Sequence, residues 1–396
     1  HKTIYQEVKN VKPGSLLKYG LESKKITETL WKKKVNIFSI HSELKSEKLD
    51  NLLTESIKEQ TDCEVPYGIF LSGGIDSSLI TAIATKKLSK KIKTFTISFK
   101  NRNYSEGKFA NKIAENLKTE HFEFFFDKDD MIDTIENFFE LNDQPFADVS
   151  KLPLILLSRL SRNKIKIALS GDGADELFGG YNRYIWIKRL SLLSLNKRIF
   201  LKKILDIFDS NKIESILKIY NYISKKNLIA YPDEKIQRLK NIITFESLDS
   251  FYMLSQIKWH DKNPLIETSK LNKSLYDDRN KKNINIDNFI LKMMKSDQND
   301  YLIDNCLVKS DRATMMNSLE LRLPFLNDKV VDFGNSLKLE EKIQNRKGKL
   351  ILRNLLSNYI PKTLFDRDKT GFHVPLGSWF KNELKDLVEK TIYNKK

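Results

Sequence analysis

The chain has 396 residues, 40% hydrophobic and 31% charged, with 14 Gly and 9 Pro. This balance suits a globular protein of more than one domain and excludes fibrous and disordered classes. Cys63 and Cys306 stand far apart with no His or second Cys at ligand spacing, which argues against a disulfide framework or a zinc site and fits a reducing compartment. None of His41, His121, His260 and His373 has ligand or base spacing either. No run of about 18 apolar residues occurs, and the N-terminal stretch lacks the basic-then-apolar order of a signal peptide, so a cytoplasmic protein without a membrane partner is expected. A formal charge of +17 suggests nucleic acid, yet 56 of the 69 basic residues are scattered lysines rather than a clustered, arginine-rich stripe. Compositional bias explains them more simply, and no nucleic-acid partner is expected.

Residues 1–40 are poorly patterned. From 67 onward, short apolar runs alternate with amphipathic stretches: strands are expected at Tyr67–Leu71, Thr94–Phe99, Phe122–Phe126 and Ile165–Leu169, and helices at Ser77–Lys90, Ser105–Leu117 and Asp129–Leu141. The β-α-β order implies an α/β fold with a parallel sheet, whose ligands bind beyond the C-terminal strand ends. The phenylalanines at 122, 124, 125 and 126 read as alternation within a buried strand rather than a base-stacking platform. After Tyr181 strand signals fade. Lys188–Ala230, Asn299–Asp311, Lys329–Leu337, Lys349–Tyr359 and Leu376–Lys390 read as helices, and Lys270–Asn285 as a polar loop.

Two motifs carry chemistry. Leu71-Ser72-Gly73-Gly74-Ile75-Asp76-Ser77-Ser78 leaves the first of these strands and opens a helix; its glycines, hydroxyls and helical amides suit a phosphate group, and Asp76 suits Mg²⁺. It lacks the GK[ST] ending of a Walker A loop. Ser170-Gly171-Asp172-Gly173-Ala174-Asp175-Glu176 follows the fourth strand and crowds three carboxylates into five residues, an arrangement that calls for a cation. The bland alternative is an acidic helix start.

With LeuPheGlyGlyTyr (177–181), residues 142–148, Lys309–Met315, Ser318–Leu326, Lys349–Arg353 and Arg367–Phe372 alongside, these motifs make residues 40–390 resemble the synthetase domain of glutamine-hydrolysing asparagine synthetases, a class that includes β-lactam synthetase. The resemblance implies a parallel sheet of the adenine nucleotide α-hydrolase type (PP-loop ATP pyrophosphatase) with a largely helical C-terminal half. It divides the chain into a glutaminase-domain tail and linker (1–40) and a synthetase domain (41–396), with the nucleotide-binding sheet at 67–181 and a mainly helical part at 182–396. Full-length members begin with a glutaminase domain whose terminal Cys is the nucleophile, and no such Cys stands at the start here.

The implied reaction is ATP-dependent conversion of aspartate to asparagine through β-aspartyl-AMP, with nitrogen from ammonia, or from glutamine in the full-length protein. The implied cofactors are ATP and Mg²⁺. Ser72, Gly73, Gly74, Ser77 and Ser78 would cradle pyrophosphate, Asp76 and Asp175 would hold Mg²⁺, and Phe70, Ile97, Ser170 and Gly171 would line the nucleotide site. Lys349 matches the family's catalytic lysine, and Asp172 the acidic residue near the adenylate, where many members carry Glu. A homodimeric mate is a further expected partner. Two other readings stay open: a related amidotransferase acting on a sugar acid or other carboxylate, and a tRNA-modifying PP-loop enzyme.

Overall fold

The computed structural model describes residues 3–31, 44–99, 107–207, 239–256, 285–367 and 379–393, apart from positions 127, 137, 139–142, 147, 241, 246, 381 and 383. It divides into two compact units. The first joins residues 1–179 to 296–344 and 349–396, so much of the C-terminal helical sequence belongs with the sheet.

Contrary to the poor patterning of the N-terminal stretch, Ser15–Tyr19 (β1) and Ile26–Leu30 (β2) form an antiparallel hairpin. Almost every side chain on it is exposed, which is why the alternation of a half-buried strand is missing. Helix α1 (Lys45–Thr61), also absent from the sequence reading, seals its apolar stripe of Leu49, Leu52, Leu53 and Ile57 against the sheet unit.

The central sheet is built from Tyr67–Phe70 (β3), Lys93–Phe99 (β4), Glu120–Phe126 (β5), Ile167–Leu169 (β6) and Glu320–Arg322 (β7). Its order is β5-β4-β3-β6-β7, and every neighbouring pair is parallel. The α/β class and the four expected strands are therefore found. The fifth, β7, lies in the half expected to be mainly helical, between two expected helices; three residues with two charged members are too short to show a period of two. The chain moves from β3 to β4 and β5 on one side and returns to β6 and β7 on the other. That reversal puts the topological switch point between β3 and β6, where both motif loops leave the sheet.

Alternate side chains divide between two cores. Ile69, Leu71, Ile167 and Leu169 join α1, α2 (Ile75–Ala82) and α3 (Gly107–Leu117) on one face, while Phe70, Phe95, Ile97 and Ala168 meet α5 (Lys151–Ser161) on the other. Each fully buried aliphatic chain contributes about 1.5–3 kcal/mol, so the switch point is rigidly walled. On β5, Phe122 and Phe124 pack with the second core and Phe126 is buried, while Phe125 is 57% exposed; the expected alternation holds on a half-buried edge strand. Helix α4 spans Lys128–Glu136, shorter than expected, with 137 and 139–142 outside the described residues.

The second unit contains helices Asn182–Leu190, Leu195–Ile207 and Leu248–Gln256. There the Arg198 guanidinium lies 3.7 Å from the Phe245 ring and donates to the Ile243 and Phe245 carbonyls. The expected helical run 208–230, most of the polar loop 270–285, and the start of the last expected helix fall outside the described residues.

Candidate active site

The first motif loop turns on Gly73, whose φ of 71° lies in the left-handed region and whose position admits no side chain: a Cβ there would lie 2.9 Å from the Ala110 nitrogen and from Phe109 Cβ. Hydroxyls close the loop on itself. Ser77 Oγ accepts from the Ser72 amide at 3.2 Å, and Ser72 Oγ accepts from the Gly74 amide at 3.3 Å. Helix α2 then starts at Ile75 with Gly74 as its extended N-cap, so the first-turn amides point into the loop. Ser78 is fully buried, and its Oγ has no hydrogen-bond partner among the described residues. A buried orphan hydroxyl costs stability unless something else occupies it, and a phosphate oxygen beside helical amides suits the position.

Gly171 brings the second motif against the first. A Cβ on it would sit 2.6 Å from Asp76 Cβ and 3.2 Å from the Ser77 amide, so only glycine lets the loops touch. Ser170 leaves β6 by donating its amide to the Arg322 carbonyl. Gly173, at φ 91°, then opens the short helix α6 (Ala174–Phe178).

The three crowded carboxylates part company here. Asp175 turns toward Asp76, with Lys349 Nζ between them at 2.6 and 2.5 Å. Asp172 accepts from Ser310 Oγ at 2.8 Å, near Lys309. Glu176 points inward, 1% exposed, with Cys306 Sγ 3.8 Å from its Oε1. Cations do relieve the repulsion, and they are lysines of the chain itself.

Lys349 departs from the sequence reading. It is not on a helix face but is the N-cap of Leu350–Ser357, in a left-handed conformation with φ 58°. Its amide donates to the Phe178 carbonyl at the end of α6 at 3.1 Å, and the residue is 5% exposed, so it is not a solvated helix-face lysine. A non-glycine residue held there is strained by about 1 kcal/mol or more, and the surrounding contacts over-determine it. Burial alone would push the ammonium pKa down; Asp175 and Asp76 more than reverse this and hold it above the ordinary lysine value. Without that cation, two carboxylate oxygens that each lie within 2.6 Å of it, and so no more than about 5 Å from each other, would repel by about 3–4 kcal/mol at an effective dielectric constant near 20.

Beside Asp172 lies a network that the sequence reading does not single out. Lys309 Nζ is 3.1 Å from Ser150 Oγ and 3.6 Å from Asp148, and Asp148 also accepts from Ser150 and from Asn305 Nδ2. Burial pushes the Asp148 carboxyl up, but Lys309, Ser150 and Asn305 outweigh it and the pKa is lowered. Burial pushes Lys309 down, and Asp148 and Asp172 reverse that. Arg367 is the other omission: its Nη2 donates to the Gly73 carbonyl at 3.1 Å while its guanidinium lies 3.5 Å from the Phe109 ring. Asp148, Lys309 and Arg367 lie in motif blocks while Ser150, Asn305 and Phe109 do not, and a salt-bridge partner cannot be read from position in a block.

Phe70 and Ile97 are 8% and 4% exposed, their side chains packed in the second core. Phe95 gives its carbonyl to the Leu71 amide. Two residues on, Ile97 turns its backbone groups to the same side, where β3 has already ended. What these residues can offer a ligand is therefore backbone.

The donor set suits Mg²⁺ in part. Asp76 and Asp175 are hard oxygen ligands brought to one point, but no group of three or more metal-binding side chains occurs among the described residues. Mg²⁺ takes six oxygens and commonly uses one or two carboxylates with phosphates and water, so the pair fits an ion that arrives with a nucleotide. No described helix is long and apolar enough to cross a membrane.

The chain is 28% identical over 98% of its length to asparagine synthetase [glutamine-hydrolyzing] 1 of Bacillus subtilis, covering 59% of that protein. It is 29% identical over 86% of its length to a putative asparagine synthetase [glutamine-hydrolyzing] of Mycobacterium bovis, covering 50% of it. It thus spans about half to three-fifths of the curated relatives it matches. Among solved structures, an NMN synthetase from Francisella tularensis aligns with 36% of this chain and 60% of that one, at 18% identity and a TM-score of 0.27. The family model described as asparagine synthase matches residues 48–396, across both motif loops and Lys349, and the chain belongs to that family.

Proposed function

We propose that this chain is a ligase that uses ATP to amidate a carboxylate, with aspartate as the acceptor, β-aspartyl-AMP as the intermediate and ammonia as the nucleophile. The observation that carries the reading is the convergence of two glycine loops at the sheet's switch point around one buried lysine and two aspartates. The curated relatives support the same acceptor.

The loop hydroxyls and α2 amides would hold the β- and γ-phosphates, with Ser78 Oγ gaining a partner that no described residue gives it. A carboxylate oxygen of the substrate attacks the α-phosphorus, the bond to the bridging oxygen breaks, and pyrophosphate leaves. Asp76 and Asp175 would hold Mg²⁺, which supplies charge neutralisation at the leaving group. Lys349 stabilises negative charge on the phosphoryl oxygens and then on the tetrahedral carbon as ammonia adds and AMP departs. Asp172, placed beside Lys309 and oriented by Ser310, is the acceptor for a proton of the attacking ammonia. Backbone groups of Ile97 and Phe70 would meet the adenine edge.

The test is to incubate the protein with ATP, Mg²⁺ and ammonium across a panel of carboxylates and to measure AMP and pyrophosphate. Aspartate-dependent release of both, with asparagine formed, is expected. Release with a sugar acid instead would keep the ligase chemistry and replace the acceptor; no release with any carboxylate would reject the reading. Asp76→Asn should slow adenylation by about 10²–10³-fold, because charge stabilisation at the leaving group is lost.

A further inference from the structure

We propose that Lys349 is an internal counter-ion standing in the metal's place, and that it becomes available for catalysis only when a divalent cation arrives with the nucleotide and takes over Asp76 and Asp175. The inference rests on the ligase reading above and adds an order of events to it.

Lys349 Nζ lies 2.5 Å from Asp76 Oδ2 and 2.6 Å from Asp175 Oδ1, and the lysine side chain is 6% exposed. It therefore spends its charge on the two carboxylates assigned to the metal, not on an open substrate pocket. One ammonium and one divalent ion cannot both sit at that distance from the same two oxygens: each would lose its ligands and they would repel each other in a poorly solvated site. The lysine is also built to leave. Its backbone is pinned, the amide bonded to Phe178 and the φ of 58° fixed by the chain on both sides, while four methylenes let the ammonium move without unfolding anything.

Charge balance then decides when it leaves. These two carboxylates and one ammonium sum to one negative charge, so a divalent ion alone would make the trio positive and find, among the described residues, no third metal-binding side chain toward the six oxygens it needs. Bound with a triphosphate, the same ion brings its own anionic oxygens, and the released ammonium finds them within reach. Metal affinity should accordingly be coupled to nucleotide through Lys349, and by linkage the coupling runs equally in both directions.

Mn²⁺ is the probe, followed by electron paramagnetic resonance on the intact chain, with and without an ATP analogue carrying an α,β-methylene bridge. Wild type should bind Mn²⁺ at least about tenfold more tightly with the analogue than without it. Lys349→Met should bind Mn²⁺ without nucleotide about tenfold or more tighter than wild type does, and the effect of the analogue should shrink. Lys349→Gln, which keeps hydrogen-bond donors and loses the charge, should behave in the same way and serves if the Met variant folds poorly. Added Mn²⁺ should also raise the melting temperature of both variants more than that of wild type. Tight Mn²⁺ binding by wild type without nucleotide overturns the inference whatever the variants do. Variants no tighter than wild type, while the analogue still promotes Mn²⁺ binding, overturn the inference and leave the ligase reading standing. Absence of Mn²⁺ binding even with the analogue, or an Asp76→Asn variant that binds as wild type does, removes the metal assignment and the inference with it.

Discussion

Two lysines in the sheet unit are almost equally hidden and behave in opposite ways. Lys349 is 5% exposed and Lys151 1%, so burial weakens the charged form of both. Lys349 meets two carboxylates and is held above its ordinary pKa. Lys151, at the start of α5, faces the rings of Phe146 and Phe138 at 5.0 and 5.4 Å; burial, together with the Arg312 charge, pushes it down to about 8 despite Asp143. Aromatic faces attract a cation, but by far less than a pair of carboxylates at contact distance. Burial alone therefore says little about a lysine; the neighbours decide whether it stays charged.

The sharpest break of this comparison is Lys349→Met. Removing the cation leaves two carboxylates facing each other in a partly buried site, so unfolding free energy should fall by about 2–3 kcal/mol, less than for a fully dry pair because the aspartates keep some solvent contact. Adenylation should drop by about 10³-fold or more while nucleotide binding survives, since the interaction is made mainly in the transition state. Single-turnover AMP release beside equilibrium ATP binding measures the split, and equal loss of both would make Lys349 only a nucleotide-binding group. Its stabilising contribution is fully present below the unfolded-chain value of 10.5 and is lost as pH rises further, because the folded pKa is the higher one.

A smaller effect is expected from Gly171→Ala. The new Cβ would need the space 2.6 Å from Asp76 Cβ, so the first loop must retreat and Asp76 leaves its distance to Lys349. Overpacking of this kind costs about 1–3 kcal/mol, and a misplaced carboxylate should lower adenylation about 10²-fold. Wild-type rates in a folded Gly171→Ala protein would mean that the loops do not need to touch.

The same contrast explains what the sequence could and could not reveal. Gly73, Gly171 and the strand-loop-helix order around them are local, so the loops and their place at the strand ends were legible. β7 was not, because three residues beside charged neighbours carry no period, and its pairing with β6 spans about 150 positions of chain. Lys349 was visible only as a member of a motif block: as one of 56 lysines before an apolar helix it looks solvated, and its burial follows from a left-handed turn and a bond to Phe178 that no propensity announces. Asp172 was legible as a crowded acid, but its partners Ser310 and Lys309 come from more than 130 residues away. Lys151 gave no signal at all, since its two rings are an accident of tertiary packing.

The gentlest test therefore falls on Lys151. With a folded value of about 8 and an ordinary one of 10.5, the folded protein holds fewer protons than the unfolded chain between those pH values, so stability rises across that window and the burden of the buried charge is fully present below it. A shift of that size corresponds to at most about 3.4 kcal/mol, and the attraction of the two rings for the cation leaves an expected net change nearer about 1–2 kcal/mol. Lys151→Met keeps most of the volume and the contact with both rings while removing the charge. The variant should be more stable than wild type by about 1 kcal/mol at pH 7, and the advantage should shrink between about pH 8 and 10 and vanish above the unfolded-chain value of 10.5. Urea unfolding of the two proteins at matched pH values between 7 and 10 isolates this, because every other titrating group cancels in the difference. A constant difference across the range would show that Lys151 keeps its proton and that the packing around it, rather than its charge, sets its contribution.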